Sequence, residues 1–332
     1  MQANNDKNID RRDFMKRAAG GAGIIAASAI GAGLLYDKAG PRIRPKREQV
    51  HLPDFSVPAL EGKIMCVAKG SDRGANVKKA IDQLGGIERF IKPGETVLIK
   101  PNVAFASPPT LGATTNPELI EAVVKLCYDR GKASQVIVTD NSINDPASCF
   151  RLSGVGDAAQ KSGARIILPR PGMFEHTTLK EGKLIRDWPV LWEAFGGVDK
   201  VIGITPVKDH HRSGASMTMK NWYGLLGGRR NIFHQNIHTI IEELARMVTP
   251  TMVILDGTTV MMSNGPTGGS VSDLRKKNEL IVCTDQVAAD SYGASLLERS
   301  IEELPHLEMA AKAGVGTIDY QSLKPIFVDV QG

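Results

Sequence analysis

The feature that most constrains this chain is an alternation of short apolar runs with amphipathic segments between about residues 64 and 313. The apolar runs are rich in β-branched residues, as in Thr96-Val97-Leu98-Ile99 and Lys200-Val201-Ile202-Gly203-Ile204. Strands that are apolar on both faces are typical of a parallel sheet buried between two layers of helices. The pattern therefore predicts an α/β fold with a mostly parallel, doubly wound sheet and helices on both faces.

The same pattern places the individual elements along the chain. Strands are predicted over residues 64–68, 96–99, 136–138, 165–168, 200–204, 252–255 and 280–283. Helices are predicted over residues 77–90, 117–130, 155–162, 236–247, 286–298 and 301–313. Pro117 suits a first helical position and Gly131 suits the residue after a helix. We predict a single α/β domain over residues 61–332, since this length is enough for one large domain.

The first 36 residues are typical of an export signal. Asp10-Arg11-Arg12-Asp13-Phe14-Met15-Lys16 pairs two arginines with an aromatic residue, an apolar residue and a lysine, and a stretch from Ala18 to Tyr36 without charges follows. This stretch is rich in Ala and Gly and is weakly apolar for a membrane span. A basic segment before a modest apolar segment favours the twin-arginine route, with the twin-arginine translocase as a partner and a periplasmic or extracytoplasmic location.

Two points about the leader stay open. Ala27-Ser28-Ala29 is one of several sites where it could be cleaved, and an uncleaved leader would tether the protein to the membrane. Residues 37–60 carry basic residues together with Pro41 and Pro45, which predicts a linker between the leader and the domain.

Composition excludes some classes of function. A formal net charge of +5 is small and dispersed, which argues against nucleic-acid binding. The four cysteines, Cys66, Cys127, Cys149 and Cys283, lack metal-site or iron–sulfur spacing. We expect them to be buried thiols, and no iron–sulfur cluster motif is present in this chain.

Polar groups follow the predicted strands. They are Lys100-Pro101-Asn102, Thr139-Asp140-Asn141-Ser142, Lys208-Asp209-His210-His211, Asp256-Gly257-Thr258 and Thr284-Asp285. Ligands of open parallel sheets bind outside the carboxyl ends of the strands. These five strand ends therefore predict a functional cleft at one edge of the sheet, although Asp285 alone also fits a helix cap.

Two interpretations of this cleft compete. In the first, Lys100, Lys220 and Arg230 bind a small anion while Asn102 and Asn221 orient it. In the second, His210 or His211 joins His234 and Asp256 around a divalent metal, with His211 and Asp256 as the assigned ligands. The candidate catalytic groups are His210, His234 and Lys220.

A glycine-rich loop, Asn264-Gly265-Pro266-Thr267-Gly268-Gly269, is a further candidate for anion binding. Its backbone amides at Gly265 and Gly268 could face a phosphate or carboxylate. The loop is not a P-loop, because the Lys-Ser/Thr ending of that motif is absent. No nucleophile elbow is present either, which disfavours nucleophilic hydrolysis.

The order of these motifs resembles the family called domain of unknown function 362. The resemblance rests on Lys100-Pro101-Asn102, Thr115-Asn116-Pro117-Glu118, Lys208-Asp209-His210, Thr218-Met219-Lys220-Asn221 with Gly224, His234, Asp256-Gly257, Gly265-Pro266-Thr267-Gly268 and Asp285 to Asp290. It covers roughly residues 64–300. Some members of the family carry a ferredoxin-like module, whose cysteine clusters are missing here. The resemblance implies a site map and no particular reaction.

Two functions stay open from the sequence. One is an exported enzyme with a polar, anion-accepting cleft and a metal or another cofactor of unknown identity. The other is a non-catalytic ligand- or cofactor-binding or maturation protein that serves a periplasmic redox complex. Metal analysis and turnover discriminate between them.

Overall fold

The computed structural model describes residues 10–35, 52–57 and 62–330. The chain divides into two compact units, Met1–Glu48 and Gln49–Gly332. In the first unit, α1 covers Arg11–Leu35. Within the described ranges, none of the helices combines the length and the apolarity needed to span a bilayer.

The second unit alternates strands and helices, as the sequence predicts. Its strands are β1 Met65–Lys69, β2 Thr96–Lys100, β3 Gln135–Thr139, β4 Arg165–Ile167, β5 Phe174–Thr177, β6 Trp188–Leu191, β7 Lys200–His210, β8 Gly214–Ser216, β9 Met252–Met261, β10 Leu274–Cys283 and β11 Ile326–Asp329. Its helices are α2 Arg73–Gln83, α3 Pro117–Asp129, α4 Pro146–Leu152, α5 Val155–Lys161, α6 Thr218–Asn221, α7 Ile237–Met247, α8 Gln286–Leu296 and α9 Pro305–Lys312.

The central sheet is mostly parallel, which confirms the predicted fold class. Its strand order is β11-β1-β10-β9-β7-β2-β3-β4, and β8 pairs with β7 beside this path. The strands β2, β3, β4, β7 and β9 run in one direction. β10 is antiparallel to both of its neighbours, β1 and β9. The separate hairpin of β5 and β6 was not predicted from the sequence.

The reversed direction of β10 corrects one predicted strand end. Thr284 and Asp285 follow β10 at the edge opposite to the ends of β2, β3, β7 and β9. The Asp285 carboxylate accepts hydrogen bonds from the amides of Val287 and Ala288 and so caps α8. Asp285 is therefore a helix cap and not part of the cleft.

Two apolar cores lie on the two faces of the sheet. Successive strand residues alternate between them, so Leu98 belongs to the core under α6 to α9, whereas Val97 and Ile99 belong to the core under α2 to α5. Continuous apolar strands are explained by this burial on both faces. All four cysteines are buried free thiols, which confirms that prediction.

Part of the predicted linker belongs to the folded unit. Asp54 forms a β-bridge with Thr249, and Phe55 is buried and stacks on Phe195 with ring centroids 5.8 Å apart. Within the predicted linker, residues 52–57 are described, and residues 37–51 and 58–60 lie outside the described residues.

Candidate functional site

A cavity of about 80 Å³ lies where β2 and β3 end and where β7 extends past the end of β2. Its basic side chains are Lys100, Lys208, Lys220 and Arg230, and its imidazoles are His210 and His234. The carboxylate of Asp140 is the only one that lines it among the residues that the structure describes. The cavity is several times larger than the roughly 10–15 Å³ that one water needs.

Lys100 is a buried lysine with a built-in counterion. Its Nζ lies 2.6 Å from Asp140 Oδ1 and donates to Asn221 Oδ1 at 2.9 Å and to the carbonyl of Pro101 at 2.6 Å. Asp140 Oδ2 accepts from the amide of Val103, so the pair is held on both sides. Burial lowers the pKa of Lys100, while the charge of Asp140 opposes this effect.

Lys208 is equally buried and has no carboxylate partner among the described residues. Its Nζ donates to the carbonyl of Ala113 at 2.5 Å and lies 3.4 Å from Asn102 Oδ1. Burial, followed by the positive charge of Lys220, lowers the pKa of Lys208 to about 7. At neutral pH this amine is therefore partly deprotonated.

Lys220 lies on the short helix α6, and Asp290 fixes the first residues of this helix. Asp290 accepts hydrogen bonds from the amides of Thr218 and Met219 and from the Thr218 hydroxyl. The Nζ of Lys220 lies 5.4 Å from the ring centroid of Tyr223, and the described residues give it no hydrogen-bond acceptor. Burial and then the charge of Arg230 lower the pKa of Lys220 to about 8.

His210 is held as a neutral hydrogen-bond donor. Its Nδ1 accepts from the backbone amides of Arg212 and Ser213, both at 3.2 Å, so the ring proton is assigned to Nε2. Burial and then the charge of Lys220 lower the pKa of His210 to about 2. His210, one of the predicted catalytic groups, can therefore donate to a ligand through Nε2, whereas a role as a proton acceptor is disfavoured.

His234 has the opposite tautomer. The hydroxyl of Tyr223 donates its proton to the carbonyl of Arg230 at 2.6 Å and so faces His234 Nδ1, 3.2 Å away, as an acceptor. The carbonyl of Asn231, also 3.2 Å from Nδ1, is a second acceptor. The proton of His234 therefore lies on Nδ1, which leaves the Nε2 lone pair as a candidate base.

Arg230 is engaged in fixing the walls of the cavity. Its guanidinium donates to the carbonyls of Tyr223 and Leu226 and to those of Asn141 and Ser142, at 2.6 to 3.1 Å. These four bonds join the loop after β3 to the segment after α6. We therefore assign to Arg230 a positioning role in place of the predicted direct contact with an anion.

The side-chain oxygens of Asn221 and Asn102 face the amino groups of Lys100 and Lys208. Asn221 accepts from Lys100 Nζ and donates to the carbonyl of Lys100 at 3.0 Å, while Asn102 approaches Lys208. Gly224 makes this arrangement possible, because a Cβ at this position would overlap the carboxylate of Asp140 and lie 2.7 Å from Lys100 Nζ.

The structure brings most of the predicted site residues together. His210, His234, Lys220, Lys100, Asn102, Asn221 and Arg230 all line the cavity. From the glycine-rich loop, Pro266 lines it. The amide of Gly265 donates to Asp209 Oδ2 and that of Gly268 to the carbonyl of Asn264, so neither is available to an anion. Anion binding by Gly265 and Gly268 is thereby disfavoured.

The two assigned metal ligands have different surroundings. Asp256 accepts from Arg73 Nε at 2.7 Å and from the amide of Thr258, whereas His211 stacks on His210 and lies 3.4 Å from the carbonyl of Gly265. Across the described ranges, no three or more His, Cys, Asp or Glu side chains are grouped as a metal centre. These residues give the metal interpretation no support.

Lys208, Asp140 and Tyr223 were not assigned to the site from the sequence, although Lys208 and Asp140 stand among the polar strand ends. The signal that could have found Lys208 is its place within β7, which runs six residues further than predicted, to His210. Tyr223 carried no such signal, because its role depends on the contact with His234.

The fold and the cavity define an α/β protein with a cation-lined site at the carboxyl ends of its parallel strands. This chain belongs to the family described as domain of unknown function, DUF362, whose model matches residues 97–295. All the cavity residues described above fall within that range.

The chain is also similar in sequence or in fold to known proteins. The chain is 25% identical over 257 residues to a thylakoid-associated protein of Synechocystis sp., which covers 73% of this chain and 74% of that protein. It is similar to a solved structure of a Thermotoga maritima protein, with TM-score 0.37 and 11% identity, and to the lactate racemase apoprotein from Thermoanaerobacterium thermosaccharolyticum, with TM-score 0.38 and 12% identity. The alignments cover 74% and 77% of this chain and 60% of each solved chain. The chain therefore spans less than two thirds of the length of each of these solved chains.

Proposed function

We propose that the cavity binds a small organic or inorganic anion and performs acid–base chemistry on it. The observation that carries this proposal is the charge of the lining: four basic side chains face one carboxylate, and that carboxylate is paired with Lys100. Buried charges are costly unless they are compensated. An anionic ligand near Lys208 and Lys220 supplies the missing compensation.

The two imidazoles support the chemical part of the proposal. His210 offers an Nε2 proton and His234 offers an Nε2 lone pair, with ring centroids 6.0 Å apart. Within one cavity, the donor can stabilise a negative charge that develops on a ligand, and the acceptor can take a proton from the same ligand. We assign the base to His234, and we assign the binding of the anion to Lys220.

Anion binding is tested by isothermal titration calorimetry with inorganic phosphate, sulfate and malonate on the full chain. We expect 1:1 binding of at least one of them and a loss of affinity of tenfold or more in Lys220→Met. Lys125→Met is the matched control, because Lys125 lies on the surface of α3, where it pairs with Glu121. Absence of binding by all three anions, or an unchanged affinity in Lys220→Met, would overturn the proposal.

The acid–base part is tested by deuterium exchange. Small carboxylic acids with an acidic α-hydrogen are incubated with the protein in D₂O and followed by proton NMR. We expect exchange with wild-type protein and its loss in His234→Gln with the anion affinity retained. Protein that binds anions but exchanges no hydrogen in any of these acids would instead be a non-catalytic ligand-binding protein.

We also propose that the chain is exported through the twin-arginine route and acts outside the cytoplasm. Arg11 and Arg12 support this, together with the weakly apolar segment that follows them. Cell fractionation of the full chain tests it. Arg11→Lys with Arg12→Lys should retain the protein in the cytoplasm, whereas Arg17→Lys should not, and equal export of all three forms would refute the proposal.

A further inference from the structure

Lys208 differs from the other buried lysine in the character of its partners. Within the described part of the chain, the groups at hydrogen-bond distance from Lys208 Nζ are the Ala113 carbonyl and Asn102 Oδ1, and both are neutral acceptors. An uncharged amine can donate one hydrogen to each of them and keep its lone pair. Lys100 cannot be used in this way, because Asp140 holds its ammonium form at 2.6 Å.

The surroundings of Lys208 favour the uncharged amine. Burial and the positive charges of Lys220 and Lys100 disfavour its protonation, and Asp140 is the opposing group. An amine becomes a nucleophile when it is desolvated beside another cation. The ring of Phe105 lies over Lys208 Nζ with its centroid 5.6 Å away, and this contact, like Asp140, weakly favours the ammonium form.

We propose that Lys208 is a catalytic residue that forms an imine with a small 2-oxo carboxylate. The cavity carries the groups that such a substrate needs: an amine for the carbonyl carbon, and Lys220 for the carboxylate. Its volume of about 80 Å³ limits the substrate to a few heavy atoms. The proposal rests on the proposed function, because the carboxylate is the anion that Lys220 binds.

The step balances without an oxidant or reductant. The lone pair of Lys208 Nζ attacks the carbonyl carbon as the C=O π bond breaks. Both hydrogens of the amine then move to the oxygen, each by way of His234 Nε2. The first transfer gives a neutral carbinolamine, and the second converts its hydroxyl group into water. Water then leaves as the C=N bond forms, so one amine and one carbonyl give one imine and one water. The His210 Nε2 proton stabilises the oxygen during the attack.

Reductive trapping tests the proposal on the full chain. Glyoxylate, pyruvate and 2-oxobutyrate are each added with cyanoborohydride at pH 7.5, and the modified lysines are identified by peptide mass spectrometry. We expect Lys208 to be labelled at least tenfold more than the exposed lysines Lys125 and Lys312, which serve as internal references. Inorganic phosphate should protect Lys208 and leave the two references unchanged.

Variants give a second reading. Lys208→Met and Lys208→Arg should both lose the specific adduct, whereas Lys125→Met should retain it. Lys220→Met should lower the labelling of Lys208 at equal concentration of the 2-oxo acid, because the carboxylate is then held less tightly. The labelling pattern of the wild-type protein does not depend on the folding of any variant. It therefore decides the question even if a substitution at Lys208 destabilises the chain.

The outcomes separate the two proposals. Phosphate binding by calorimetry without preferential labelling of Lys208 by any of the three acids overturns the imine and leaves the anion site intact. Specific labelling of a different lysine, at an undiminished level in both Lys208 variants, also overturns it. Failure to bind phosphate, sulfate or malonate overturns the anion site itself.

Discussion

Lys100 and Lys208 lie on neighbouring strands of one sheet, are buried to the same extent and line the same cavity, yet they have opposite electrostatic surroundings. The chain provides Lys100 with Asp140, with Asn221 and with a backbone carbonyl. Among the residues that the structure describes, it provides Lys208 with neutral acceptors only. Lys100 is therefore a structural cation, whereas Lys208 is left to be compensated by a ligand or to lose its proton.

Burial of a lysine therefore does not by itself identify a functional group. The distinguishing property is whether the fold supplies the counterion. A buried ion pair whose two members both belong to the chain needs no ligand. A buried cation without such a partner indicates that the site binds an anion.

The largest expected effect comes from removing the counterion of Lys100. Asp140→Asn leaves a buried ammonium without its partner, and we expect the free energy of unfolding to fall by about 3–5 kcal/mol. Urea unfolding followed by circular dichroism measures this. Asp157→Asn, on the exposed surface of α5, is the control and should change the stability by less than about 0.5 kcal/mol. Equal effects of the two substitutions would contradict the role of Asp140 as the counterion that stabilises buried Lys100.

A smaller effect is expected from the amides that face the two lysines. Asn221→Ala removes a bond of 2.9 Å to a charged lysine and should cost about 1.5–3 kcal/mol. Asn102→Ala removes a contact of 3.4 Å to Lys208, which is a weak bond, and should cost less than about 1 kcal/mol. The same unfolding experiment ranks the two variants, and a larger loss in Asn102→Ala would contradict the proposed difference between the lysines.

The last effect is a change in pH dependence, which is the smallest of the three when it is measured per pH unit. The pKa of Lys208 in the folded protein, about 7, lies below its ordinary value of 10.5, so the unfolded chain binds more protons between these values. The free energy of unfolding should therefore rise with pH in this range. Lys208→Met should reduce that slope by up to about 1.4 kcal/mol per pH unit, leaving the part due to Lys220. Lys125→Met should not change it, and an unaltered slope in Lys208→Met would mean that Lys208 is not desolvated.

Much of the fold could be predicted, because burial on both faces leaves a direct mark in the sequence. The runs at Val97-Leu98-Ile99 and Val136-Ile137-Val138 alternate between two cores and must be apolar throughout. Helix caps are local as well, so α3 begins at Pro117 as expected, with the Asn116 side chain as its cap. Neither feature requires knowledge of distant contacts.

The direction of β10 could not be predicted in this way. Leu280 to Cys283 is apolar whichever way the strand runs, and its antiparallel pairing with β9 follows from the connection between them. The tautomers of His210 and His234 could not be predicted from the sequence either, because they depend on contacts within the folded structure. They depend on the amides of Arg212 and Ser213 and on the hydroxyl of Tyr223, which are brought to the rings only by the folded loops.

Arg230 has a consequence for the rate at which the cavity exchanges its contents. Widening the cavity between the loop after β3 and the segment after α6 would break up to four hydrogen bonds to one guanidinium at once. A barrier of this kind slows the passage of any molecule that needs a wider mouth and leaves smaller ones unaffected. The site should therefore select its ligands by size at the moment of association, so that among homologous acids the association rate constant falls with chain length before the equilibrium affinity does.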